Sequence, residues 1–123
     1  MSEAQPKPHT VLVVDDEALL RMDASEALQE AGCMTYEAAH AEEALRMLGE
    51  HPEITVLFTD VNMPGTRNGI VLANHVRSMW PHIHIVVVSA GRKPFSGELP
   101  ENAQFLSKPW TDKQLACAIQ PAA

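Results

Sequence analysis

Three apolar, largely β-branched runs, each stopping abruptly on a polar residue, constrain what this chain can fold into. Residues 10–14 (TVLVV) run into Asp15, Asp16 and Glu17. Residues 54–59 (ITVLFT) run into Asp60, and residues 83–88 (IHIVVV) run into Ser89. Apolar runs of this length without alternation are the pattern of strands buried on both faces, as parallel strands are.

The segments between these runs read as helices. Residues 18–30 carry Leu19, Met22, Ala27 and Leu28 at helical spacing, and Gly32 is a good stop. Residues 34–38 make a weaker strand. Residues 41–48 are rich in Ala, Glu and Leu and read as a helix ending at Gly49. Residues 69–80 form a helix that stops before Pro81. Residues 103–106 form a short strand, and residues 111–119 a final helix with Thr111 or Asp112 near its start. Alternating strands and helices of these lengths imply right-handed βαβ units. The expected fold is α/β: a doubly wound, five-stranded parallel sheet of flavodoxin-like order 2-1-3-4-5, with helices on both faces. One segment resists the pattern. Residues 91–102 (GRKPFSGELPEN) contain Pro94, Gly97 and Pro100, so the helix expected there, the fourth in chain order, is short or irregular.

A length of 123 residues with 46% hydrophobic residues fits one domain with one real core. The domain is expected over residues 10–120, preceded by a disordered lead-in over residues 1–9. No apolar stretch approaches the roughly 20 residues that span a bilayer. Residues 1–10 do not read as a signal peptide. Cys33 and Cys117 form no paired motif. Together these point to reduced thiols and a cytoplasmic location. Nine basic residues against sixteen acidic ones give a net charge of -7, which argues against a nucleic-acid partner. No nucleotide-binding glycine motif and no HExxH zinc motif is present. His82 and His84 alternate on one run and could share a face, but nothing nearby completes a metal-ligand set.

In a doubly wound sheet the carboxyl ends of the strands gather along one edge, where ligands bind. Here that edge would collect Asp15, Asp16, Asp60, Ser89 and Lys108. Crowded carboxylates repel one another unless a cation joins them. Magnesium suits one or two carboxylates plus a phosphoryl oxygen. Lys108 would add a point charge and Ser89 a hydroxyl donor. This is the inventory of a phosphoryl-transfer site with a carboxylate nucleophile. Singly, each residue has a plainer reading: Asp15 and Asp16 as helix caps, Asp60 as turn chemistry, Phe105 as a core aromatic.

The motifs VVDDE, TDVNMPG, VSAG and LSKPW, in that order, resemble the receiver domain of two-component response regulators, from about Thr10 to Ile119. The resemblance implies that Asp60 accepts a phosphoryl group from a histidine kinase. It implies that Asp16 binds magnesium directly, that Asp15 acts through water, and that Asn62 offers its backbone carbonyl. Ser89 matches the switch hydroxyl, Phe105 the switch aromatic, and Lys108 the lysine that contacts the phosphoryl group. Pro109 follows at a peptide bond that is often cis in the family. The implied partners are a sensor histidine kinase or histidine phosphotransfer protein and an output protein, for a monomer or weak dimer. The implied activity is that of a phosphoacceptor with at most weak autophosphatase activity, not an enzyme.

The sequence departs from the family pattern at four points. The turn after Asp60 is one residue longer than the commonest form, Phe105 lacks a tyrosine hydroxyl, and Gly91 lacks a side chain beside the site. The irregular 91–102 segment puts the usual dimer face in question. The chain is expected to be a stand-alone receiver or a domain cut from a larger protein. Its function would be phosphorylation-controlled protein binding. The alternatives are a phosphorelay intermediate or phosphate sink, and, more remotely, a magnesium-dependent phosphohydrolase. For the last, Asn62 stands where a second, acid-donating aspartate is needed.

Overall fold

The computed structural model describes residues 9–61, 68–90 and 97–120. In chain order the elements are β1 (Thr10–Val14), α1 (Ala18–Glu30), β2 (Met34–Ala38), α2 (Ala41–Glu50) and β3 (Val56–Asp60), then α3 (Gly69–Met79), β4 (His84–Ser89), β5 (Gln104–Ser107) and α4 (Asp112–Ala118). The strands form one five-stranded sheet in the order β2-β1-β3-β4-β5, with every pairing parallel. This is the expected doubly wound architecture.

Strand alternation sorts the core into two layers. Val11, Val13, Val56, Phe58, Val86, Val88 and Leu106 pack under α1 and α4. Leu12, Val14, Leu57, Ile85 and Val87 pack under α2 and α3. The central strands are therefore buried on both faces. β2 lies at an edge, which is why its MTYEA sequence carries polar and exposed positions. Cys33 and Cys117 are both free thiols, and burial pushes the Cys33 thiol above its usual range.

Local signals place the helix ends. The Asn68 side chain accepts from the backbone N–H groups of Ile70 and Val71 and starts α3. Thr111 and Gln114 form a reciprocal capping box on α4. Gly32 takes φ +96° beyond the end of α1, the left-handed conformation that glycine supplies without strain.

Three expectations need correction. Helix α2 does not end at Gly49; it runs through Glu50, with the His51 N–H donating to the carbonyl of Met47 at 2.8 Å. A glycine inside a helix costs only about 1 kcal/mol, so it does not have to terminate one. On α1 the inward positions are Ala24, Ser25 and Leu28, whereas Leu19 and Met22 stand 77% and 50% exposed. Apolar residues occur on both sides of this helix, so their spacing alone could not set which stripe faces the sheet. His82 lies in the turn before β4, and His84 uses Nε2 to contact the Ala118 carbonyl at 2.8 Å. Between β4 and β5 the described residues from Gly97 onward form turns, not a helix. Residues 91–96, including Gly91, lie outside the described residues.

Candidate phosphoacceptor site

Strand parity brings the site together. Asp15 continues the β1 positions Val11 and Val13, and Asp60 continues the β3 positions Val56 and Phe58. Lys108 continues the β5 position Leu106. All three lie on the α1/α4 side at the carboxyl edge of the sheet. Asp15 is 6% and Asp60 7% exposed, while Asp16 is exposed. One carboxylate oxygen from each of Asp15, Asp16 and Asp60 lies within 4.8 Å of the others. Lys108 Nζ lies 3.6 Å from Asp15 Oδ2 and 3.6 Å from Asp60 Oδ1. The ammonium therefore sits between the two buried carboxylates and offsets part of their repulsion.

The backbone around these groups is closely held. The Glu17 N–H donates to Asp15 Oδ1 at 2.9 Å, and the Asp15 N–H donates to the Ala38 carbonyl at 3.2 Å. The buried Thr59 hydroxyl donates to the Asp60 carbonyl at 3.0 Å. Beyond the strand, the Val61 N–H donates to Val88 and the Gly69 N–H to Val61, each at 2.9 Å. Lys108 N–H donates to the Ser89 carbonyl at 3.0 Å, and the Lys108–Pro109 peptide is cis.

A cavity of about 590 Å³ opens beside the carboxylates. Its apolar wall comes from Val13, Leu20, Phe58, Val88, Pro109 and Trp110, and its polar groups include Asp15, Asp60 and Lys108. Trp110 meets Phe58 edge-to-face, with ring centroids 6.4 Å apart.

Of the residues singled out from sequence, Asp15, Asp16, Asp60 and Lys108 converge. Ser89 is buried and pairs in register with Ser107, one position beyond Val88, the register partner of Asp60. Parity puts Ser89 and Phe105 on the opposite, α2/α3 side of the sheet, with Val87. Phe105 is half-buried and lines a separate groove with Gln104, Lys113 and Cys117, away from the acidic cluster. Asn62 lies outside the described residues. Sequence reasoning missed Arg21, Thr59 and Gly69. These act on backbone carbonyls, and no spacing of residue types signals such a contact.

The donor set fits a hard divalent cation: three carboxylates in reach of one another, oxygen donors only, and one exposed member facing water. A buried carboxylate at a parallel strand end, flanked by further acids and an ammonium, defines a class: an α/β domain built to receive a phosphoryl group. Comparison with known proteins makes this specific. The chain belongs to the response regulator receiver domain family, whose model matches residues 11–120.

The chain is 37% identical over 115 residues to the sensor kinase CckA of Brucella abortus (strain 2308), covering 90% of this chain and 12% of that protein. It is 32% identical over 123 residues to the transcriptional regulatory protein PdtaR of Mycobacterium tuberculosis, covering 94% of this chain and 57% of that one. The chain thus spans about half or less of these relatives. A response regulator receiver protein from Sinorhizobium medicae WSM419 superposes with TM-score 0.84 at 27% identity, covering 92% of each chain. Receiver domains are signalling modules of two-component systems, with a phosphoacceptor role and a magnesium ion at an acidic aspartate pocket. Among the described residues no helix is long and apolar enough to cross a membrane.

Proposed function

We propose that Asp60 of this chain accepts a phosphoryl group from a phosphohistidine of a sensor kinase or phosphotransfer protein, and that the modification switches a protein-binding surface. One observation carries the reading: Asp60 is buried at a strand end, within 4.8 Å of Asp15 and Asp16 at their carboxylates and 3.6 Å from Lys108 Nζ. A carboxylate oxygen of Asp60 attacks phosphorus in line. The P–O bond forms as the P–N bond breaks, and the leaving imidazole takes a proton. Lys108 neutralises charge on the phosphoryl oxygens. Asp15, Asp16 and Asp60 would hold the magnesium ion, with the carbonyl of Asn62 as a further ligand. Once bound, the ion screens the negative charge that gathers between nucleophile and phosphoryl group.

Ser89 and Phe105 are the switch pair in this reading. Their shared side of the sheet supports it, since a hydroxyl drawn toward the phosphoryl group frees room that the aromatic ring can fill. The functional unit is residues 10–120, acting in the cytoplasm as a monomer or weak dimer, with slow hydrolysis of the aspartyl phosphate resetting it. Leu19, Leu20 and Met22 stand exposed on α1, with Leu20 on the cavity wall, and support a protein partner on this helix. A relay role is the second reading, favoured by similarity to a protein named as a sensor kinase.

The test is intact mass after incubation with acetyl phosphate and magnesium, beside Asp60→Asn. One added phosphoryl group is expected, absent from the variant and absent without magnesium. A folded wild-type protein that takes no phosphoryl group and forms no beryllofluoride complex would reject the reading. Partner capture that depends on phosphorylation separates a switch from a relay or sink.

A further inference from the structure

Arg21 has no part in the phosphoryl chemistry described above, yet it reaches directly into the loop that carries two of the three acids. Its Nη1 donates to the backbone carbonyl of Asp15 at 2.8 Å, and its Nε donates to Glu37 Oε1 on β2 at 3.0 Å. The β1 ladder ends at Val14, so the Asp15 carbonyl lies beyond the sheet pairing that orients the strand. The Asp15 carbonyl and the Asp16 N–H belong to one planar peptide unit. Fixing that oxygen therefore fixes the plane from which Asp16 departs. The same turn is closed from the other side by the Glu17 N–H on Asp15 Oδ1 and by the Arg21 N–H on the Glu17 carbonyl, each at 2.9 Å.

From this geometry we infer that Arg21, held by Glu37, is a positioning residue for the Asp15–Asp16 metal-binding loop. The inference rests on the magnesium site proposed above. Glu37 has two functions in it. It aims the guanidinium, and it balances the charge, so that a cation fixed beside an acidic pocket does not repel the incoming metal. Partners that orient ligating groups commonly contribute ten- to a hundredfold in metal affinity.

Charge and position predict opposite signs for Arg21→Met. Deleting a positive charge would by itself tighten magnesium binding. Losing the clamp would weaken it. The experiment is magnesium titration of the full chain by calorimetry, with thermal unfolding in chelator as the parallel readout. The expected result is that Arg21→Met binds magnesium about tenfold more weakly than wild type. Arg21→Lys keeps the charge but cannot hold the carbonyl and Glu37 together, so it loses the clamp without the compensating loss of charge and should bind magnesium no more tightly than Arg21→Met. If Arg21→Met does not fold, Arg21→Lys carries the test alone.

Binding as tight as wild type or tighter in the folded variants, even with a lowered melting temperature, would overturn the inference and make Arg21 a purely structural contact. A wild-type chain that binds no magnesium would instead bring down the metal site itself, and this inference with it. The wild-type titration therefore separates the two failures.

Discussion

Gly69 stands against the peptide of Asp60. A Cβ built on Gly69 would lie 1.9 Å from the Asp60 carbonyl oxygen and 2.7 Å from its carbonyl carbon. The first residue of α3 is therefore packed on the backbone of the proposed nucleophile, and only hydrogen fits between them. The Thr59 hydroxyl donates to the same carbonyl at 3.0 Å. The peptide that carries Asp60 is thus held from two sides.

Gly69→Ala tests this contact through its sign. In an ordinary helix the exchange stabilises by about 0.5–1 kcal/mol. Here the Asp60 peptide or the start of α3 must shift, so the variant should be less stable by about 1–3 kcal/mol. Phosphorylation by acetyl phosphate should slow as well, because the carboxylate moves with its peptide. Chemical denaturation and time-resolved intact mass check the two effects. A Gly69→Ala chain as stable as wild type would show that the packing is looser than described.

Lys108 lies between Asp15 and Asp60, which predicts opposite effects on binding and reaction. Lys108→Met removes the only cation within 4.0 Å of those carboxylates among the described residues. Magnesium should then bind more tightly, since it no longer competes with the ammonium. Phosphorylation should nevertheless slow by on the order of a hundredfold, because a positioned charge on the transferring group is lost. Calorimetric titration and acetyl phosphate kinetics on one preparation read both. Faster phosphorylation in the variant would refute the role given to Lys108.

The gathering of acids at the carboxyl edge of the sheet was legible in the sequence for a physical reason. A strand buried on both faces cannot carry a carboxylate until it ends, so Asp15, Asp16 and Asp60 mark strand ends by their identity alone. The two core layers followed from the same runs. Other features were not legible. Gly69 reads only as a helix start and Arg21 carries no sequence signal, because what each touches is a backbone carbonyl. The inward stripe of α1 was hidden because Leu19, Leu20 and Met22 are apolar and exposed, while the inward position 25 is a serine. The end of α2 was misread because Gly49 stays helical where Gly32 does not.

Ser25 supplies the third prediction. It is 2% exposed on α1, and its hydroxyl has no hydrogen-bond partner among the described residues. Burying an unpaired hydroxyl is costly, and alanine is the better helix former. Ser25→Ala should therefore stabilise the domain by about 1 kcal/mol, seen as a melting temperature a few degrees higher. Magnesium affinity should not change, because Ser25 does not line the cavity beside the carboxylates. A destabilised variant would point to a hydrogen bond that the buried hydroxyl does make.

Tyr36 and Glu53 define the fourth prediction, on pH. The Tyr36 hydroxyl donates to Glu53 Oε2 at 2.5 Å, and its ring stacks on His51 with centroids 4.4 Å apart. The hydrogen bond to Glu53 raises the tyrosine pKa above its usual range, and the same bond holds the Glu53 carboxyl below its own. For Glu53 the folded pKa is the lower one. Its contribution to stability is complete above the unfolded carboxylate range and is lost as pH falls through the folded value. For Tyr36 the folded pKa is the higher one. Its contribution is complete below the ordinary tyrosine range and is lost as pH rises through the raised value. Tyr36→Phe keeps the ring on His51 and removes the bond. Melting temperatures measured across pH should show the largest gap between wild type and variant near neutrality, narrowing at both ends. Both groups are exposed, so the gap should be small and should shrink with salt. A gap that stays constant from acid to alkali would mean that the hydroxyl stabilises by some contact other than this bond.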